Sequence, residues 1–268
     1  MQEKSHILPP INTEKTVEAI SNFIKNKIEE SKTEGLVIGL SGGLDSSTAV
    51  SIAVKAIDKG NILGLIMPSQ TTTQEDLEDA ITIAEHLGIE NEVINIDNLI
   101  KPFRELCIHS ATEYYNQLAN ANLKARIRMI ILYYHANSMN RLVLGTGNLS
   151  ELSVGYFTKY GDGGVDILPM GDLYKTDVQN IADYLEIPDK IITKAPTAGL
   201  WAGQTDEEEL GIKYQLLDEI LYLTTTEKLE DYMIAEKLGI SKNEVLRIKN
   251  MVKSAEHKIT PPPIPKII

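Results

Sequence analysis

Gly35–Ser47 reads GLVIGLSGGLDSS. Leu36 to Leu40 is a short apolar run. It is broken by Ser41-Gly42-Gly43, and a helix-like segment from Asp45 to Ala56 follows. An apolar run bounded by glycines predicts a buried parallel strand. The glycines allow positive φ and keep Cβ atoms out of the turn. The next helix then offers unpaired amides and the positive end of its dipole to an anion.

The turn is not a P-loop, because Leu44-Asp45 stands where that motif needs Lys-Ser or Lys-Thr. An acid in an anion cradle makes sense with a metal. On that reading Asp45 meets Mg²⁺, and the amides with Ser41, Ser46 and Ser47 hold phosphate. The alternative is a plain strand-to-helix turn with Asp45 as a first-turn acid.

Outward from this unit, the chain alternates. Thr13–Lys32 has helical spacing of Val17, Ile20, Ile24 and Ile28, with Thr13 as candidate cap. Helix 46–58, strand Asn61–Met67, helix 73–87 stopped by Gly88, and strand Glu92–Ile96 come next. This order predicts a mostly parallel sheet with right-handed crossovers. Ligands bind beyond the carboxyl ends of such strands, so Ser69–Gln74 is either a nucleotide contact or an ordinary loop. Residues 98–137 read as helical with an Asn-rich break at Asn116–Asn122. Arg126 and Arg128 on that helix are either snorkelling surface residues or face an anion. His109, His135 and Cys107 carry no catalytic or ligand spacing.

Arg141–Asn148 (RLVLGTGN) predicts a further strand. If it neighbours the first, Thr146 and Glu151 emerge beside Asp45, and two carboxylates at one phosphate cradle would hold Mg²⁺. Otherwise Glu151 is a solvated helix-start acid. Gly155–Pro169 is glycine-rich and carries Lys159, Asp162 and Asp166, which marks a functional loop. A helix from Asp172 to Leu185 begins with Lys175 near its N-terminus. There a lysine opposes the dipole, unless an anion sits with it. Ala195–Gly211, holding Trp201, reads as a lid or a static loop. Residues 226–256 read as helix, turn, helix, with an extended tail from His257-Lys258 through Pro261–Pro263.

The chain has 268 residues and a formal net charge of -12, with Lys+Arg 26 against Asp+Glu 38. That balance argues against nucleic acid as partner, including through the helix-turn-helix stretch, and against an anionic membrane. No signal peptide and no bilayer-length apolar run is read. One cysteine allows no internal disulfide. These traits predict a cytoplasmic enzyme.

SGGLDS resembles the pyrophosphatase-type loop SGGxDS of the N-type ATP pyrophosphatases. NLKARIRMI, GTGNLSE, GYFTKYGDGGVDILPM, DLYKT, PTAGLWAGQTDEEELG and His257-Lys258 together resemble the ammonia-dependent NAD synthetase family. The resemblance implies one domain over residues 1–268. The fold would be α/β and three-layered: a mostly parallel sheet with helices on both faces, adenine nucleotide α-hydrolase-like, with a C-terminal helical hairpin. It also implies a homodimer. The implied reaction amidates deamido-NAD to NAD through an adenylate, using ATP and ammonia and releasing AMP and pyrophosphate.

Carried over by position, Gly39, Leu40, Ser41, Gly42, Gly43, Leu44, Asp45, Ser46, Thr146, Lys175 and Thr197 would contact ATP. Asp45 and Glu151 would bind Mg²⁺, and Arg126, Lys159, Asp166, His257 and Lys258 deamido-NAD. The catalytic set is Asp45, Lys175 and Asp162, the last handling the proton of ammonia. Gln70 departs from the family by standing near a position often basic in relatives. Glutamine-using members add a nitrilase-like domain with a Cys nucleophile, for which this chain has neither length nor a suitable cysteine. The alternatives are another ATP-pyrophosphatase amidotransferase, of the GMP or asparagine synthetase type, or a non-catalytic nucleotide-binding protein.

Overall fold

The computed structural model describes residues 7–107, 113–197, 199, 201 and 203–267; His109 lies outside them. Four strands, β1 (Gly35–Leu40), β2 (Ile62–Ile66), β3 (Glu90–Val93) and β4 (Arg141–Leu144), form a sheet in the order β3-β2-β1-β4. Every pairing is parallel, with Leu36 opposite Ile62 on one side and Leu142 on the other. β1 and β2 are buried almost throughout, as befits central strands of a sheet covered on both faces.

One face carries α1 (Thr13–Ser31), α2 (Leu44–Ala56), α3 (Gln74–Leu87) and α7 (Lys175–Tyr184). Ile24, Ile38, Ile52, Ile83 and Ile181 form the core between them. The other face carries α4 (Asp97–Leu106) and α5 (Glu113–Ser138), packed through Val37, Leu65, Ile96, Ile127 and Ile131. This is the three-layer arrangement that the resemblance implies. A separate apolar cluster joins α6 (Leu149–Val154), α10 (Tyr214–Thr225), α11 (Asp231–Leu238) and α12 (Lys242–Ile259) around Leu217, Ile220, Leu223, Ile234 and Val245. Between α7 and α10 lie two short helices, α8 (Asp189–Ile192) and α9 (Asp206–Leu210).

Several local expectations shift. The cap of α1 is Asn12, whose side chain accepts from Lys15 N, rather than Thr13. β3 lies at Glu90–Val93, upstream of the expected Glu92–Ile96. α5 runs unbroken through Asn116–Asn122, because its apolar residues pack on β1 and β4 and tertiary burial overrides the weak helix propensity of Asn. His257 and Lys258 belong to the last turn of α12, where cations suit the dipole, and Pro261–Pro263 follow outside the helix. α11 and α12 do form a hairpin, but Arg247 is tied to Glu244 and the Leu210 carbonyl, and Lys249 to Asp231. Those bonds occupy two of the three basic residues that would have faced DNA. Among the described residues no helix is long and apolar enough to cross a membrane.

Candidate active site

The strand order sets the site. The chain builds outward from β1 to β2 and β3, then returns through α4 and α5 to β4 on the other side of β1. The loops after β1 and β4 therefore part company, and a crevice opens between them at the carboxyl ends. The β1 loop is tight. Gly42 has φ 77°, and a Cβ there would stand 2.2 Å from the Asp76 carbonyl oxygen, so only glycine lets α3 approach. Ser46 and Ser47 donate to the Gly43 carbonyl, at 3.1 and 2.9 Å, and Ser41 and Ser46 hydroxyls meet at 3.1 Å. Ser47 is fully buried. It thus secures the turn, and Ser41, which is exposed, is the serine open to a ligand.

Asp45 leaves the first turn of α2. Its Oδ1 accepts from Asn148 Nδ2 at 3.0 Å. Asn148 caps α6 in a reciprocal box: Glu151 N donates to Asn148 Oδ1 at 3.0 Å, and Asn148 N to Glu151 Oε2 at 3.3 Å. Lys175, the first residue of α7, donates its ammonium to Asp45 Oδ2 and lies 3.7 Å from Glu151 Oε1. Asp45, Glu151 and Lys175, distant in sequence, thus converge. Lys175 is buried, and its ammonium stands 5.3 Å from the centre of the Tyr214 ring. Tyr214 donates to Asp206 Oδ2 at 3.3 Å.

Burial alone would discharge Lys175, but Asp45 and Glu151 outweigh it and raise its affinity for the proton. Glu151 is pushed up to about 8, first by burial and then by the Asp45 charge. Asp206 is also raised by burial, with Lys175 opposing. Asp45 and Glu151 face one ammonium, and Asp206 adds a third acid to its field. Asp206 Oδ1 is buried with no hydrogen-bond partner. Among the described residues no three acids, histidines or cysteines stand together as a metal cage, so the set fits Mg²⁺ as the Asp45–Glu151 pair alone, with water and phosphate oxygens completing the shell.

A second group surrounds the loop after α6. Gly155 (φ 72°) ends α6, and a Cβ there would come within 2.7 Å of Ala255 Cβ, so glycine lets α12 close in. Lys258 then donates to the carbonyls of Gly155 and Phe157 at 2.6 and 2.9 Å. Lys159 donates to the His257 carbonyl, and Arg126 to the Lys159 carbonyl at 3.3 Å. Arg126, Lys159, His257 and Lys258 are therefore neighbours. Asp166 is apart from them: it accepts from Tyr133 at 3.0 Å and from Val143 N at 2.8 Å, two turns along α5 from Arg126. Asp162 accepts from Thr158 N at 2.9 Å. Its carboxyl keeps access to solvent, yet the protein packed around it raises its pKa, against the pull of Lys258 and Arg128.

Of the segment read as a lid, Gly199 meets the β2 loop: Thr71 donates to the Gly199 carbonyl at 2.9 Å, and Lys124 to Thr71 at 3.0 Å. At its base Lys194 bonds Asp76, at 3.0 Å, and Asp79. Thr197 is exposed and accepts from Gly199 N at 3.1 Å, while Thr146, half-buried, follows the carboxyl end of β4. Gln70 is exposed on the β2 loop.

Four residues at the crevice escape the sequence reading. Asn148 was legible, because Asn-x-x-Glu before an apolar residue is a capping-box pattern. Asp206 lay in a run read only as a helix start. Tyr214 and Asp218 sit on α10, whose apolar spacing carries no sign of a site.

Fold and crevice define a doubly covered parallel α/β protein with an acid pair and a lysine beyond a glycine-serine turn. The chain belongs to the NAD synthase family, whose sequence model matches residues 16–262. The NH3-dependent NAD⁺ synthetase of Archaeoglobus fulgidus is 49% identical over 96% of this chain and 98% of its own length. Among solved structures, NMN synthetase from Francisella tularensis is 34% identical with TM-score 0.83, covering 96% of this chain and 100% of that one. NH3-dependent NAD synthetase from Campylobacter jejuni is 28% identical with TM-score 0.80, over 96% and 100%.

Proposed function

We propose that this protein amidates deamido-NAD to NAD with ATP and ammonia. One observation carries the reading beyond family membership: Asp45 and Glu151 meet on Lys175 at the β1/β4 crevice. A carboxylate is a poor acyl donor. An oxygen of the nicotinate carboxylate attacks the α-phosphorus, and the bond to pyrophosphate breaks. Ammonia then attacks the carbonyl carbon, and AMP departs with the carboxylate oxygen.

The β1 turn and Lys175 serve the first step. The Gly42-Gly43 backbone and the α2 N-terminus hold phosphate, with Thr146 and Thr197 as further ATP contacts. The Lys175 ammonium stabilises charge that grows as pyrophosphate leaves. Asp45 and Glu151 would hold Mg²⁺, which supplies the same kind of stabilisation on the departing phosphates. Arg126, Lys159, His257 and Lys258 surround the dinucleotide, with Asp166 as a more distant contact. Asp162, raised in pKa, accepts the proton that ammonia sheds. The Gly199 contact with Thr71 of the β2 loop supports a cover that limits hydrolysis of the adenylate.

The same reading makes the protein a single domain and a cytoplasmic homodimer. Contacts of α6 with α12 and of α7 with α10 support one domain. Leu99 and Phe103 on α4 and Ile130 and Tyr134 on α5, each at least 49% exposed, are apolar surface suited to a second copy. An assay with ATP, Mg²⁺ and ammonium tests the reaction, run with deamido-NAD and with nicotinate mononucleotide in parallel. NAD formation with the dinucleotide is expected. Turnover of the mononucleotide alone would move the activity to NMN formation, and a glutamine arm tests direct use of ammonia.

A further inference from the structure

Asp218 lies on α10, fully buried, and among the described residues it has no ion-pair partner. Its charge is held by hydrogen bonds alone. Oδ1 accepts from the Ser150 hydroxyl, and Oδ2 accepts from Thr176 N at 3.0 Å and the Thr176 hydroxyl at 2.9 Å. Ser150 Oγ in turn accepts from Lys175 N at 2.9 Å. One carboxylate therefore clamps the residue before Glu151 to the residues at the start of α7. A buried carboxylate without a cation is expensive, and an apolar residue would serve the surrounding cluster of Leu217, Ile220 and Leu221 better. What the charge supplies is a fixed relation between two helix starts.

The same helix face adds a second brace. Tyr214 sits one turn before Asp218, so both side chains project from one side of α10. Its ring lies against the Lys175 ammonium and its hydroxyl bonds Asp206. α10 is thus the back wall of the crevice, anchored in the C-terminal helical cluster rather than in the sheet.

We propose that Asp218 is a positioning residue: through Ser150 and Thr176 it sets Glu151 and Lys175 against Asp45. The inference rests on the functional reading above. Two readouts separate it from a purely structural role. Asn cannot accept all three donors, so Asp218→Asn is expected to lower kcat about 10- to 100-fold and to raise the half-saturating Mg²⁺ by a similar factor. KM for deamido-NAD should stay within about twofold. Ser150→Ala, which keeps both Thr176 bonds, should give a smaller change of the same kind. The double variant should be no worse than Asp218→Asn, since both act through one chain. Mn²⁺ binding, followed by electron paramagnetic resonance on the protein without substrates, should weaken in parallel.

Unchanged kcat and Mn²⁺ binding beside a lowered Tm would make Asp218 a scaffold residue and overturn the proposal. If Asp218→Asn does not fold, Ser150→Ala decides by the same two readouts. A wild-type chain that forms no product would sink the functional reading instead, and Mn²⁺ binding by the variants would still decide the positioning role.

Discussion

At the β1/β4 crevice charge meets charge. Around the Gly155–Gly164 loop charge meets backbone. Lys175 is buried between Asp45 and Glu151, held from behind by α6, α7 and α10. Arg126, Lys159 and Lys258 instead spend their donors on backbone carbonyls of the loop and of the last turn of α12, and Arg126 and His257 remain exposed. The difference separates two tasks. Phosphoryl transfer needs donors fixed before charge develops, since reorganising them at that moment would add to the barrier. Holding a large dinucleotide needs surface cations that can exchange a carbonyl for a phosphate at little cost.

The largest effect expected is at the crevice. Asp45→Asn and Lys175→Ala should each lower kcat about 100-fold or more, the order seen when one preorganised transition-state donor is lost. Lys175→Ala leaves the acid pair unneutralised, so its Tm should fall as well, and Mg²⁺ should restore part of it. A near-wild-type rate for either variant would remove that residue from the chemistry. The loop region should respond differently. Lys258→Ala should raise KM for deamido-NAD about tenfold with kcat nearly unchanged, as loss of uniform binding does. A kcat effect as large as that of Lys175→Ala would erase the contrast between the regions.

A pH experiment sharpens the comparison further. Glu151 titrates near 8 in the fold, above its ordinary value, so the folded state keeps an extra proton through that window. Glu151's contribution to the stability of the metal-free protein should therefore be fully present below its ordinary carboxylate range and be lost as pH rises from there through about 8. Mg²⁺ should flatten the fall by favouring the ionised pair. Tm measured at about pH 6 and about pH 9, for wild type and Glu151→Gln, checks this; equal pH dependence in both would exclude Glu151 as its source. The smallest effect should come from Asn148→Ala. It loses a helix cap worth about 1 kcal/mol and frees Asp45, lowering Tm by a few degrees with a modest loss of rate.

The parallel sheet was legible because Leu36–Leu40 and Ile62–Ile66 are continuous apolar runs closed by turn residues, a pattern that needs only local chemistry. α3 was equally plain, with Thr73 capping and Gly88 in the left-handed conformation. The α5 break was misread, because Asn116, Gln117, Asn120 and Asn122 gave no hint that sheet contacts would hold the helix through them. β3 was displaced for the opposite reason: all four of its residues are exposed, so no apolar pattern marks it.

By itself the sequence determined the strand-turn-helix at Gly35–Ala56, the alternating α/β order and, through SGGLDS, GTGNLSE and FTKYGDGG, the family. Those features are written in short stretches whose turn and burial requirements few residue types satisfy. Only the tertiary structure decided that β4 lies against β1, that Asp45, Glu151 and Lys175 share one crevice, and that α10 stands behind them with Tyr214 and Asp218. The reason is that charge compensation depends on distance in space. A carboxylate on α10 and a serine before Glu151 become partners only when the sheet and the C-terminal helices close on each other.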